Sequence, residues 1–188
     1  LSFSTVKAIF ESKGLVLFDV EELPTHGGSL RIFAKHTGDS SKPVGPRVSA
    51  LLNTEKRKGM LDLGYYQDFN KKTLKVKTDL IVFLASQKNE GKRIAAYGAA
   101  AKGNTLLNYC GVKNDMIDYV VDANPHKQYK YLPASHIPVM DEAHLKRDKP
   151  DYVLILPWNL KDEIMEQLSY IKDWNGVFVV PIPDLQLL

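Results

Sequence analysis

The sequence predicts an α/β fold in which residues 91–188 form a Rossmann-like parallel sheet flanked by helices. Two observations predict it. Apolar runs of strand length recur along this part of the chain, and segments with helical patterning separate most of them. The first run, residues 94–97, leads into a turn bracketed by Gly98 and Gly103 and then into a helix-like segment. Alternation of strands and helices favours a parallel, right-handed sheet.

The chain begins with a predicted helix and hairpin, residues 1–36. Ser4 is expected to cap the helix and Gly14 to end it, with an inward face formed by Val6, Ile9 and Phe10. Residues 15–23 then alternate as a half-buried strand does, with one face formed by Val16, Phe18 and Val20. Residues 29–34 return as its partner after a turn. An isolated hairpin is marginally stable, so this segment is interpreted as the end of a larger sheet.

Residues 37–90 are predicted to be a linker followed by helices. Residues 37–46 are rich in Gly, Ser, Pro and Lys, which is typical of a linker. Two amphipathic helices are expected next, on the pattern of Val48, Leu51, Leu52 and Glu55, and then of Val76, Leu80, Phe83 and Leu84. The outer face of the second helix carries Lys71, Lys72, Lys75 and Lys77. A solvated helix face is the simpler interpretation of these lysines, and a stripe for a polyanion is the alternative.

The turn after the first parallel strand is the main candidate site. A strand, a glycine turn and a helix N-terminus place several main-chain N–H groups around one small space, which suits an anion. Two phosphate fingerprints nearly fit. Asn104 stands where an NTPase loop needs lysine, and Ala100 stands where the dinucleotide fingerprint needs its middle glycine. ATP hydrolysis and tight NAD binding are therefore disfavoured, and a plain packing turn remains the alternative.

The later strands deliver further candidates to the same sheet edge. Residues 116–122 end in Asp122, nineteen positions after Gly103, which is near the spacing for an acidic residue on a ribose hydroxyl. We expect Lys102 near a phosphate, Trp158 against a base, and Asp122 or Asn124 on sugar hydroxyls. The substrate-binding candidates are Tyr97, Gly98, Ala99, Lys102, Gly103, Asn104, Asp122, Asn124 and Trp158. For Trp158 a plug of the sheet edge, and for Lys102 a solvated surface position, are the alternatives.

The remaining elements complete the pattern. A third strand is predicted at residues 137–139, with a helix from Asp141, and a fourth strand at 151–156. Asn159 is expected to cap the next helix, whose inward face is formed by Leu160, Ile164, Leu168 and Ile171. Asn175-Gly176 stops that helix before a fifth strand at residues 177–180.

Composition favours a soluble, cytoplasmic protein. The 188 residues suit one domain with an appendage, and the net charge of +3 is too small to argue for nucleic acid. The single cysteine, Cys110, is expected to be a packed core thiol. The five histidines show no metal-ligand spacing, so no metal is expected. No apolar run has the length of a membrane span, and no signal peptide is evident.

Four segments together resemble a known family. They are Leu-Pro-Thr-His-Gly-Gly-Ser-Leu-Arg at 23–31, Tyr-Gly-Ala-Ala-Ala-Lys-Gly-Asn-Thr-Leu-Leu-Asn at 97–108, Val-Asp-Ala-Asn-Pro-His-Lys-Gln at 121–128, and Leu-Pro-Ala-Ser-His-Ile-Pro-Val at 132–139. In order and spacing they are similar to the carboxyl-terminal half of the nucleotide-sugar C-methyltransferases. These are S-adenosylmethionine-dependent transferases of deoxysugar biosynthesis that enclose a nucleotide-linked keto-sugar, commonly a dTDP sugar.

The resemblance implies a division of roles along the chain. Residues 1–36 would be the terminal helix and hairpin of a methyltransferase domain, 37–90 a linker with helices, and 91–188 a Rossmann-like carboxyl-terminal domain. The family's zinc-binding module and its glycine-rich S-adenosylmethionine loop have no counterpart in these residues. The chain is therefore expected to bind a nucleotide-linked sugar, to hold no cofactor itself and to be inactive alone. It would be either a piece of a longer protein or a natural stand-alone relic.

The implied reaction assigns a role to one histidine. A base removes the proton beside a sugar ketone, and the enolate carbon then attacks the methyl group of S-adenosylmethionine. His26, in the turn of the hairpin, is the one candidate catalytic residue present, and a role in fixing that turn is the alternative. Two other functions stay open: a small NAD- or CoA-binding domain, and a structural or oligomerising domain with an empty turn. The apolar hairpin of residues 15–34 also suggests pairing with a second copy.

Overall fold

A computed structural model describes all residues from 1 to 188. Internal contacts divide the chain into two compact units, Leu1–Lys71 and Lys72–Leu188. The three-part division of the chain inferred from the sequence stays a prediction.

The first unit packs helices against one antiparallel hairpin. Its elements are α1 (Phe3–Glu11), β1 (Leu15–Leu23), a 3₁₀ turn (Thr25–Gly27), β2 (Ser29–His36), α2 (Pro46–Arg57) and α3 (Leu63–Gln67). The expected hairpin is confirmed, and β2 extends two residues beyond the expected end at Ala34. Phe3, Leu17, Val20 and Val48 form the buried core of this unit. Val6 and Phe10 pack against that core, whereas Ile9, expected to face inward, is exposed.

The alternation of side chains expected along β1, with Val16, Phe18 and Val20 on one face, is wrong. Phe18 does not share a face with Val20 in the way a regular strand requires. Leu17 pairs with Ala34 and Asp19 pairs with Phe33, so Phe18 is an extra residue between two consecutive partners. Such a bulge reverses the alternation of side chains. The buried positions are therefore Leu17 and Val20.

The start of α1 is held by a carboxylate from α2. Ser2 is the N-cap, and its hydroxyl oxygen accepts the N–H of Thr5 at 3.2 Å. The expected cap, Ser4, lies inside the helix. Glu55 accepts hydrogen bonds from the N–H of Phe3 at 2.6 Å and from the N–H of Ser4 at 2.7 Å, and the Ser4 hydroxyl donates to it as well. The expectation for Ser4 was wrong because an acid 51 residues away takes over the free helix amides.

The second unit contains a six-stranded sheet in the order β5-β4-β3-β6-β7-β8. Its strands are β3 (Ile94–Tyr97), β4 (Tyr119–Val121), β5 (Val139–Met140), β6 (Tyr152–Ile155), β7 (Val177–Val180) and β8 (Gln186–Leu187). All neighbouring pairs are parallel except β7 with β8. The predicted α/β class and parallel sheet are confirmed. The antiparallel edge strand β8 was not predicted.

Helices cover both faces of this sheet. They are α4 (Phe69–Asn89, which starts in the first unit), α5 (Ala101–Cys110), α6 (Ala143–Asp148) and α7 (Lys161–Gln167). One face packs Leu80 and Leu84 of α4 with Leu106 and Leu107 of α5. The opposite face packs residues of α6, α7 and the following turn, namely Leu145, Ile164, Leu168 and Ile171. Cys110 is buried, and burial raises the pKa of its thiol. No helix combines the length and apolar character needed to cross a membrane.

The helix after β6 starts later than expected. A 3₁₀ turn spans Trp158–Leu160, and α7 follows without a side-chain cap from Asn159. Leu160, expected on the inward face, is exposed. The expected cap fails because Pro157 leads into a tighter turn, which sets the direction of the chain before α7 begins.

We predict that Glu55→Gln destabilises the first unit by about 2–3 kcal/mol, because a charge-assisted bond to buried amides is lost. Burial by itself would raise the pKa of Glu55, but the hydrogen bonds from Ser4 and Phe3 outweigh it and lower the pKa below the ordinary value of 4.5. The stabilisation is therefore present above that value and is lost as the pH falls through the lowered pKa. Urea unfolding at a series of pH values, monitored by hydrogen exchange of residues 1–36, measures both the loss of stability and its dependence on pH.

The matched control is Glu11→Gln, which removes an exposed carboxylate that pairs with Lys7 at 2.6 Å. Exposed ion pairs contribute little, so this change should shift stability by less than about 0.5 kcal/mol. Equal losses in the two variants would show that Glu55 does not hold α1.

Candidate functional site

The turn after β3 is fixed by two main-chain donors. The N–H of Gly98 donates to the carbonyl of Val121 at 2.7 Å, which continues the sheet one residue past the strand. The N–H of Ala99 donates to Oδ2 of Asp122 at 2.8 Å. Gly98 has a φ of +90°, a conformation that other residues adopt at a cost. The turn is thus tied to the end of the neighbouring strand β4.

Asp122 uses its carboxylate on the protein itself. Its Oδ1 accepts the N–H of Asn124 at 2.8 Å, and its Oδ2 accepts both Ala99 and the ammonium of Lys127 at 3.1 Å. The residue is 8% exposed. Asn124 is engaged in the same turn, because its side-chain oxygen accepts the N–H of His126 at 3.0 Å. Both residues therefore shape the loop after β4.

Two glycines allow the turn after β3 and helix α5 to approach the segment that follows β6 closely. A Cβ atom on Gly98 would lie 2.5 Å from Cγ of Pro157, and one on Gly103 would lie 2.6 Å from Cβ of Leu156. Pro157 and Leu156 follow β6, the neighbour of β3 on the side away from β4. The backbone is therefore closely packed at these two points beside the crevice between β3 and β6, where strand order switches and ligands often bind.

The open space lies on the side of β4. A cleft of about 720 Å³ adjoins the turn and the first turn of α5, within the size range of small-molecule sites. It is lined by Ala99, Ala100, Ala101, Asn104, Thr105, His126, Lys127, Lys130, Tyr131, Leu132, Pro133 and Val139. Ala99 and Asn104 are the expected site residues among them. Gly98, Gly103, Asp122 and Asn124 support the adjoining turns without lining the cleft.

The start of α5 offers unpaired donors beside this cleft. The N–H of Asn104 donates to the carbonyl of Ala100 at 2.9 Å, which is the first turn of the helix. The preceding amides of Ala101, Lys102 and Gly103 have no acceptor in the protein. Unpaired amides at a helix N-terminus favour a negatively charged group.

The charged side chains that line the cleft are those of Lys127 and Lys130. Lys127 forms an ion pair with Asp122. Lys130 donates to the carbonyl of His126 at 2.6 Å and has no carboxylate partner. Sequence reasoning did not select Lys130 or Tyr131. Their signal was the alternation of basic and aromatic residues in Lys127-Gln128-Tyr129-Lys130-Tyr131, directly after the turn that ends β4.

Three expected site residues lie apart from the cleft. The ammonium of Lys102 is 4.6 Å from the ring centre of Trp158, and burial lowers the pKa of this lysine. Tyr97 faces the opposite side of the sheet, where its hydroxyl accepts a hydrogen bond from Gln167 at 3.0 Å. Burial raises the pKa of Tyr97. The structure therefore pairs Lys102 with Trp158, and Trp158 also packs against the apolar cluster that contains Tyr97.

His26 belongs to the first unit. It lies in the 3₁₀ turn between β1 and β2, exposed, with a φ of +56°. Its expected chemical role stays a prediction.

Comparison with known proteins identifies the class. Residues 24–183 match the family described as C-methyltransferase C-terminal domain. The chain therefore belongs to that family, which confirms the resemblance noted in the sequence.

One relative supports the same assignment. The chain is 33% identical over 187 residues to the C-methyltransferase NovU of Streptomyces niveus. The alignment covers 100% of this chain and 44% of NovU, so the chain spans less than half the length of that relative.

We predict that Gly103→Ala destabilises the second unit by about 1–3 kcal/mol, because the new Cβ would overlap Leu156. Gly103→Val should cost more and should distort the turn. Both tryptophans, Trp158 and Trp174, lie in the second unit, so their fluorescence during urea unfolding reports this change. Gly38→Ala, in the first unit, adds a Cβ that meets nothing within 4 Å and should leave this signal unchanged. Equal stability of the two alanine variants would contradict the close packing of α5 on β6.

Proposed function

We propose that this chain is the nucleotide-sugar-binding part of an S-adenosylmethionine-dependent sugar C-methyltransferase of deoxysugar biosynthesis. One observation carries the proposal. Unpaired amides at the start of α5 adjoin a cleft that also contains Lys130, a cation without a carboxylate partner. A diphosphate supplies the negative charge that these donors lack.

In this proposal the chain binds the diphosphate and does not hydrolyse it. An NTPase loop directs a lysine at the terminal phosphates, and this chain has neutral Asn104 in its place. Lys102 is the second phosphate-binding residue in the proposal. It lies beside the free amides in sequence but does not line the cleft, and its ammonium lies over Trp158 instead of pairing with a carboxylate. In this proposal the lysine leaves that ring to reach the diphosphate. Asp122 and Asn124 then hold the turn that presents Ala99.

The methyl donor does not fit the cleft. S-adenosylmethionine carries a sulfonium cation at its reacting centre, whereas the charged side chains lining the cleft are Lys127 and Lys130. Like charges in a partly enclosed site repel. We therefore assign donor binding to residues other than these. In this proposal the chain alone binds substrate and does not transfer a methyl group.

His26 completes the proposal as the candidate proton acceptor. The reaction class requires a base beside the proton next to a sugar ketone. The imidazole of His26 is exposed, and the tight turn holds its backbone between two strands.

Titration calorimetry tests the binding proposal. We predict micromolar binding of a nucleoside diphosphate sugar, and roughly 10-fold weaker binding after Lys102→Ala, because a charged hydrogen bond to phosphate is lost. Lys77→Ala is the matched control, since that ammonium also lies over an aromatic ring, 5.2 Å from the centre of Tyr109. It should leave the affinity unchanged.

The same experiment separates the competing functions. Binding of NADH, with energy transfer from Trp158, would favour a dinucleotide domain over the proposed one. Absence of heat with dTDP, UDP, GDP and CDP sugars would leave a structural or oligomerising domain as the function.

Replacement of His26 tests its proposed role. We predict that His26→Asn lowers the rate of methyl transfer by about 10²–10⁴-fold when the chain acts together with a methyl-donor site, because general base catalysis is lost. Asparagine tolerates a positive φ, so the turn should persist. Nucleotide-sugar affinity should not change. A variant with full activity would assign His26 to the turn alone.

A further inference from the structure

Tyr131 is an exposed aromatic residue on a fixed backbone. Its side chain is 66% exposed and lines the cleft. Its main chain forms an antiparallel bridge with Pro138, and the flanking bonds are 2.8 Å from Val139 N–H to Lys130 O and 2.9 Å from Leu132 N–H to Ile137 O. The ring of Tyr131 is exposed to water, and main-chain hydrogen bonds fix the backbone that carries it. A ligand can therefore stack on this ring with little loss of backbone entropy.

The loop that carries Tyr131 contains unusual backbone. Tyr129, Ala134 and His136 have φ values of 59°, 64° and 55°, in the left-handed region that favours glycine. Residues held this way are strained, and they cluster at ligand-binding and catalytic segments. A hydrogen bond from the side chain of Asn108 to the carbonyl of Pro133, 3.3 Å long, ties this loop to α5. The strained loop therefore forms one fixed wall of the cleft.

The chemistry of the cleft near this wall suits a flat ring. The neighbouring surface is apolar and is formed by Ala99, Ala100, Leu132, Pro133 and Val139. The hydroxyl hydrogen of Thr105 is used within the protein, since it is donated to the carbonyl of Ala101 at 3.1 Å. The hydroxyl groups of a hexose have no polar partner on this apolar surface beside Tyr131, whereas a nucleobase has apolar faces that stack on aromatic side chains.

We propose that Tyr131 is the stacking platform for the nucleobase, and that the nucleoside end of the substrate lies over the loop after β4. The adjacent residue Lys130 then faces the diphosphate, together with the amides of α5. This inference rests on the proposed function and deepens it, because it assigns the two ends of the substrate to different parts of the edge. The sugar end extends away from Tyr131.

A cycle of variants and ligands tests the platform. Affinities of the 188-residue chain are measured for dTDP, inorganic pyrophosphate and glucose 1-phosphate. Tyr131→Ala should weaken dTDP by roughly 5- to 150-fold, the range for loss of one stacked base. Pyrophosphate and glucose 1-phosphate should be affected less than about 2-fold by the same change. Tyr131→Phe should bind dTDP normally, because the ring and not the hydroxyl makes the contact.

Two further variants separate the causes. Lys130→Ala should weaken dTDP and pyrophosphate alike, since it removes a phosphate contact. Tyr129→Ala is the matched control: this tyrosine is 70% exposed on the same loop, but its hydroxyl donates to Asp141 and it does not line the cleft. It should leave dTDP affinity unchanged.

The outcomes distinguish this inference from the function on which it rests. If dTDP binds but Tyr131→Ala has no effect, the base lies elsewhere and the inference is wrong while nucleotide binding stands. If Tyr131→Ala weakens glucose 1-phosphate instead of dTDP, the ring packs on the sugar and the assigned orientation is reversed. If neither dTDP nor nucleotide sugars bind the unaltered chain, both proposals fail.

Discussion

The candidate site depends on the carboxylate of Asp122. This one group accepts hydrogen bonds from the amides of Ala99 and Asn124 and an ion pair from Lys127. It thereby joins the turn after β3 to the loop after β4, and these two segments form opposite walls of the cleft. Because Asp122 is buried and both of its oxygens accept hydrogen bonds within the protein, it positions the site.

The same device recurs in the rest of the chain. Glu55 of α2 accepts the first amides of α1, Asp118 accepts the N–H of Ile94 at 3.0 Å, and Asp151 accepts the N–H of Arg93 at 2.9 Å. The central strand β3 is thus bonded to carboxylates at both of its ends. A carboxylate can satisfy several main-chain donors where a helix or strand stops. These bonds fix the ends of elements whose middles are held by apolar packing.

The family assignment concerns the class of the protein, whereas the cleft concerns the ligand that the chain recognises. Membership in the C-methyltransferase C-terminal domain family defines the class, whereas the cations, free amides and exposed Tyr131 beside the cleft suggest what the chain recognises. The fold by itself would not do so, because similar sheets bind many ligands. The cleft beside the turn after β3 places the proposed ligand on the side of β4.

The sequence by itself determined the parallel α/β class, the strand positions, the hairpin and the turn at Gly98, because these follow from local periodicity and turn chemistry. It could not determine that a bulge at Phe18 reverses the faces of one strand, or that Glu55 accepts the first amides of α1. It also could not determine that β8 adds an antiparallel strand at the edge of the sheet. Nor could it show that Asp122 is already engaged, or that Lys130 and Tyr131 line the cleft. Only the tertiary structure decides such matters, since each depends on contacts between residues that the chain brings together from different elements.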